Sequence, residues 1–90
     1  VLDLPVGPTA KVRTAEAAQS LSQHLTAIAE VFGLQTHCVV TDGAQPAGRG
    51  VGPALEGRDV LAVLQNAPSS PKDLRDRALT LAAAALELAG

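Results

Sequence analysis

The sequence predicts an α/β chain: a βαβ unit with parallel strands plus two further helices, an excerpt of a larger α/β domain. Two short apolar stretches, Val1–Leu4 and Thr36–Thr41, flank a long segment with helical periodicity. Two more helical segments follow the second stretch, and glycine- and proline-rich breaks punctuate the chain after each strand. A strand, a helix and a second strand in that order imply parallel pairing through a right-handed crossover.

The elements follow in order. Val1–Leu4 reads as a buried strand end closed by Pro5, and Pro5–Arg13 as a loop, because two prolines and a glycine forbid continuous helix there. Thr14 is suited to cap a helix, and Glu16 places a negative charge in its first turn, where the helix dipole favours it. Ala18, Leu21, Leu25, Ile28 and Phe32 recur at three- and four-residue steps, so a helix is expected over Ala15–Phe32 with Gly33 as its terminator. Thr36–Thr41 is β-branched and nearly all apolar and reads as a second buried strand, broken by Asp42-Gly43. Pro53 opens a helix to Leu64, weakened by Gly57. Ser70, Pro71 and Asp73 then form a start signal for a last helix over Pro71–Leu88, whose stripe is Leu74, Ala78, Leu81, Ala82, Ala85 and Leu88.

Composition sets limits on function. The chain has 90 residues, 47% of them hydrophobic, with one Phe and no Trp, Tyr or Met. Such a core rests on Leu, Val, Ala and Ile, and two strands do not make a sheet that stands alone. The first residues read as mid-strand with no initiating Met, and the last helix stops at its glycine, so the whole of residues 1–90 is expected to be a single fragment of a larger domain. A net charge of −2 with scattered cations and no interleaved aromatics argues against nucleic-acid binding. Cys38 is alone, so neither an internal disulfide nor a cysteine metal cluster is available. No apolar run approaches the ~20 residues of a membrane span, and a cytoplasmic setting is the expectation.

Both irregular loops, Pro5–Arg13 and Asp42–Gly52, follow strands and therefore lie at the carboxyl edge of the sheet, where open α/β folds bind ligands. Glycines let backbone amides approach a ligand, and helix starts favour anions, so the loops either wall a phosphate or sugar site or are tight strand-to-helix turns. Among the side chains, Arg49, flanked by glycines, is the strongest cationic candidate; Lys11 and Arg13 are expected as solvated loop charges. His24 is expected as a part-exposed helix residue, and His37 and Cys38 as packed strand residues. Asp42 is expected to orient the glycine-rich loop through Asx-type hydrogen bonds. Glu56 is expected to bond backbone amides at a helix start or loop arginines, and Asp59 to stand exposed on its helix.

The run Thr41-Asp42-Gly43-Ala44-Gln45-Pro46-Ala47-Gly48-Arg49-Gly50-Val51-Gly52-Pro53-Ala54-Leu55-Glu56 resembles the signature of the thymidine phosphorylase, pyrimidine-nucleoside phosphorylase and AMP phosphorylase family. There an acidic turn after a strand is followed by Gln-Pro-x-Gly and then by Gly-x-Ala-Leu-Glu at a helix start. Upstream, Leu2-Asp3-Leu4-Pro5-Val6-Gly7-Pro8-Thr9-Ala10-Lys11-Val12 is similar to the family's Val-Gly loop, in wording nearest to the AMP-phosphorylase-like branch. Asp73-Leu74-Arg75 before an Ala-rich helix fits as well, and the likeness covers essentially the whole chain.

The resemblance implies a pentosyltransferase parent: a pyrimidine nucleoside, or a nucleotide, reacts with phosphate to give free base and sugar 1-phosphate. It implies phosphate and nucleoside as partners and a homodimer, with this chain in the α/β domain and incomplete as an enzyme by itself. The family's phosphate loop and base-recognition element are not among these residues, so no catalytic residue is assigned. Gly7, Lys11, Gly48, Arg49 and Gly50 fall on the substrate-side loops. No organic cofactor is implied, but one branch holds a monovalent cation such as potassium through two backbone carbonyls and a helix carboxylate. The matching positions are Ala47, Gly50 and Asp59, with Asp where that branch has Glu. A rival reading from another class is a non-catalytic, self-associating βαβ module, since exposed strand edges and Ala-rich helix faces favour association.

Overall fold

The computed structural model describes residues 1–90, ordered as β1 (Leu2–Val6), α1 (Ala15–Val31), β2 (Cys38–Asp42), α2 (Pro53–Leu64) and α3 (Lys72–Ala89). β1 and β2 pair in parallel, with Leu2 opposite Cys38 and Val6 opposite Asp42, so the βαβ reading holds. The chain divides into two compact units, one of residues 1–45 and 81–90 and one of residues 46–80.

In the first unit α1 packs on both strands, and the buried apolar side chains are Leu4, Ala18 and Ala84. The local signals for α1 act as expected. Thr14 adopts an extended conformation and its Oγ1 accepts the Ala17 amide at 3.1 Å. At the other end Gly33, at φ +70°, donates to Glu30 O while Leu34 donates to Ala29 O, which satisfies the last carbonyls through a left-handed residue. The apolar stripe of α1 is buried only at its start. Ala18 is enclosed, whereas Ile28 and Phe32 are exposed, Phe32 by 74%.

α1 and α3 (Lys72–Ala89) lie within one residue of their expected limits, and the strands differ more. β1 runs through Pro5 instead of closing at it. The Leu2 amide donates to His37 O and Val6 O accepts from the Gly43 amide, so the even-numbered residues of β1 face β2. Pro5 lies on the alternate register, where its missing N–H removes no bond from this pair. β2 begins at Cys38 and extends to Asp42, so His37 precedes the strand and is exposed instead of packed, while Cys38 is half-buried. Nor are the strands buried throughout: Leu4 is enclosed, but Leu2 and Val40 are exposed.

In the second unit α2 starts with Pro53 in its first turn, and Gly52 precedes it at φ +99°. The Glu56 carboxylate reaches back to the Gly52 amide at 3.0 Å, as its place in the first turn led one to expect. α2 ends through Asn66 at φ 53°, with the Asn66 amide on Val63 O and the Ala67 amide on Ala62 O. Asn thus takes the left-handed cap position more often held by Gly.

Candidate functional site

At the carboxyl edge of the sheet, Val6 and Asp42 are register partners, so the two loops leave the strands side by side. The first doubles back on itself: the Gly7 amide donates to Val12 O, and the Ala10 amide to Gly7 O, each at 3.1 Å. The second is tied to the first strand by the Gly43 amide on Val6 O at 2.8 Å. Asp42 Oδ1 accepts the Ala44 amide at 2.8 Å, an Asx turn of the kind expected of it. The Thr41 hydroxyl donates to Asp3 Oδ1 across the pair, joining the two strands just before the loops. Gly7 is enclosed against Gly43 and Ala44; Lys11 and Arg13 stand in solvent. His24 is exposed on α1, its Nδ1 2.7 Å from Ser20 O.

The second unit contains the glycine-rich loop ahead of α2, and its organisation is set by two carboxylates. Asp59, from the second turn of α2, accepts the Arg49 amide at 2.7 Å and the Gly50 amide at 2.8 Å, both on Oδ2. Asp73, in the first turn of α3, accepts the Gly48 amide on its Oδ2 at 3.0 Å. Arg49 turns its guanidinium onto the same Asp73, with Nη1 3.2 Å from Oδ2, and also donates to Gly48 O at 2.9 Å. The geometry corrects the expectation for Asp59: it is half-buried and bonded into the loop, not a free surface carboxylate.

These contacts hold both acids in their charged form. The Gly50 and Arg49 amides lower the Asp59 pKa below its ordinary value, against an opposing contribution from partial burial and from Asp73. The Gly48 amide lowers Asp73 first, helped by the Leu74 amide and by the Arg49 charge, again against burial.

Ala47, Gly50 and Asp59 line one cleft of about 210 Å³ together with Glu56, Val60 and Leu74. The sequence-level candidates for a cation are therefore brought together. Their donor chemistry is all oxygen with a single Asp charge, which fits a hard monovalent ion better than a transition metal. One of the two Asp59 oxygens is already engaged by two amides. No group of three or more His, Cys, Asp or Glu side chains is arranged to hold a metal ion. No helix is long and apolar enough to cross a membrane.

Asp73 is the residue that sequence reasoning placed only as a helix-start acid. Its partner lies 25 positions earlier in the chain, and no local pattern links a first-turn Asp to a distant glycine amide.

No family model matches the chain. Relatives match it nearly end to end. A protein named "Putative thymidine phosphorylase" from Chelativorans sp. (strain BNC1) is 65% identical over 88 residues, 98% of this chain. One of the same name from Parvibaculum lavamentivorans is 59% identical over 90 residues, and "Putative thymidine phosphorylase 1" of Acidovorax sp. (strain JS42) is 61% identical over 90 residues, each covering all of this chain. The chain spans 17–18% of the length of these curated relatives. Over its whole length, then, the chain is homologous to a segment of thymidine-phosphorylase-family proteins, the family its two loops resemble.

Proposed function

We propose that this chain is part of the α/β domain of a nucleoside phosphorylase, a pentosyltransferase acting on a pyrimidine nucleoside and phosphate. The observation that carries the reading is identity of 59–65% over 98–100% of this chain to a segment of proteins named "Putative thymidine phosphorylase", joined to glycine loops that follow β1 and precede α2. In the reaction the C–N glycosidic bond breaks and a C–O bond to phosphate forms at the anomeric carbon. The base departs with the bonding pair and takes a proton. Such a reaction depends on holding phosphate in line with the anomeric carbon and on stabilising charge on the leaving base.

In this reading Gly7, Lys11, Gly48, Arg49 and Gly50 belong to the loops on the substrate side. The chain's own residues contribute positioning, and none is assigned proton transfer. Ala47, Gly50 and Asp59 are the residues that would hold a potassium-like ion, which supplies positive charge near the phosphate. A homodimer and a cytoplasmic setting complete the proposal, and residues 1–90 by themselves are expected to release no base.

The test is phosphate-dependent base release by the protein as its gene encodes it, with thymidine, uridine and AMP offered separately. Equal yields of pyrimidine base and pentose 1-phosphate, absent without phosphate, are expected from a nucleoside. Preference for AMP assigns the nucleotide branch, which the wording of the Pro5–Val12 loop favours. No release from any of the three overturns the proposal. Replacing potassium by tetramethylammonium is expected to lower the rate; an unchanged rate removes the ion from it.

A further inference from the structure

Three consecutive amides, those of Gly48, Arg49 and Gly50, point at carboxylates delivered from two helices. A glycine-rich stretch before a helix is the usual setting for binding phosphate on backbone N–H groups. Here the protein's own anions take those donors. With Glu56 on the Gly52 amide, three carboxylates converge on this loop against one guanidinium, that of Arg49, which is itself turned onto Asp73. A phosphate at these amides would have to displace charge-assisted bonds and approach a net negative surround.

We infer that Asp59 and Asp73 are positioning residues that fill the amides of Gly48–Gly50 as built-in anions, fixing this loop and closing it to phosphate. The loop is then a preset wall, offering its carbonyl oxygens and the remaining guanidinium donors of Arg49. On the proposed phosphorolysis this keeps the phosphate off these three amides, though near enough to feel an ion at Gly50 and Asp59, and leaves the loop to meet hydrogen-bond donors such as sugar hydroxyls. That last step rests on the functional proposal; the clamp itself does not.

Amide-resolved hydrogen exchange on the protein as its gene encodes it tests the clamp whether or not the protein phosphorolyses anything. Asp59→Ala is expected to speed exchange at Arg49 and Gly50 by about tenfold or more, and Asp73→Ala to do so at Gly48, the loss of a bond to a charged acceptor. The amides of α1 serve as the control for global folding. Should either Ala variant lose protection there too, Asp59→Asn and Asp73→Asn keep an acceptor in place without the charge. Their expected effect is smaller, about threefold, because neutral bonds are roughly half as strong and half of the free energy behind a tenfold change is a factor of about three. Inorganic phosphate added to the unsubstituted protein is expected to leave exchange of these three amides unchanged. Unaltered loop exchange in the folded variants, or slowing of the three amides by phosphate, overturns the inference.

Discussion

Gly7 and Gly43 meet backbone to backbone where the two strands end. A Cβ built on Gly7 would lie 2.5 Å from the Gly43 carbonyl carbon and from the Ala44 amide nitrogen, far inside van der Waals contact. Because the obstacle is backbone, it cannot swing aside as a long side chain would. The pairing of Val6 with Asp42 forces this approach, since both loops leave the sheet at one register position.

Gly7→Ala is accordingly expected to destabilise the fold by about 1–3 kcal/mol, the range for overpacking. Thermal denaturation of the substituted and parent proteins checks it through a midpoint several degrees lower. An unchanged midpoint would mean that the loops part without cost.

Thr14→Ala removes the one side-chain acceptor at the start of α1. The expected loss is about 1 kcal/mol, and Thr14→Ser, which keeps the oxygen, should recover most of it. Urea unfolding midpoints of the two variants measure the difference.

Acid stability follows from the two lowered carboxylates. Both Asp59 and Asp73 have folded-state pKa values below the ordinary 3.8, so each contributes stability that is fully present above that value. As pH falls through 3.8 toward the lower folded-state values, the folded protein must take up protons it binds poorly, and the contribution is lost. The double variant Asp59→Asn, Asp73→Asn lacks this component. The gap in melting midpoint between parent and double variant should stay constant above about pH 5 and close below 3.8. A gap that widens in acid contradicts the assignment.

Arg49→Ala separates folding from function. The Arg49–Asp73 pair is solvent-exposed, with 73% of the arginine side chain accessible, and such pairs add little to stability. The melting midpoint should hardly move, while, on the proposed function with Arg49 on the substrate side, kcat/KM for phosphorolysis is expected to fall about tenfold, the effect of losing one charged contact. Equal kcat/KM in both proteins places Arg49 outside the substrate's reach.

Much of the architecture was legible from local chemistry. Periodicity in Ala18, Leu21 and Leu25, the Thr14 cap and the Gly33 terminator define α1 within one residue of its observed end. Pro53 and Glu56 mark the start of α2 for the same reason, as they act within a single turn. The family resemblance, too, lay in a contiguous run from Thr41 to Glu56, and the relatives match the chain over 88 to 90 residues.

Other features required the folded chain. Pro5 ends a strand by its propensity, yet continues one here because the parallel register turns its missing N–H away from β2. Asp59 reads from sequence as a solvated helix acid, and Asp73 as a helix-start charge. Only the return of residues 48–50 against α2 and α3 gives those carboxylates amides to accept.

The sequence by itself determined where helices start and stop, that the two strands run parallel, and which family the chain resembles. Each of those depends on neighbours within a few residues or on a run read in order. Tertiary structure decided which amides the acids take, which glycines have no room for a side chain, and that Ala47, Gly50 and Asp59 share a cleft. Hydrogen bonds and close packing between distant residues depend on positions to within a few tenths of an ångström, and only the assembled backbone sets those.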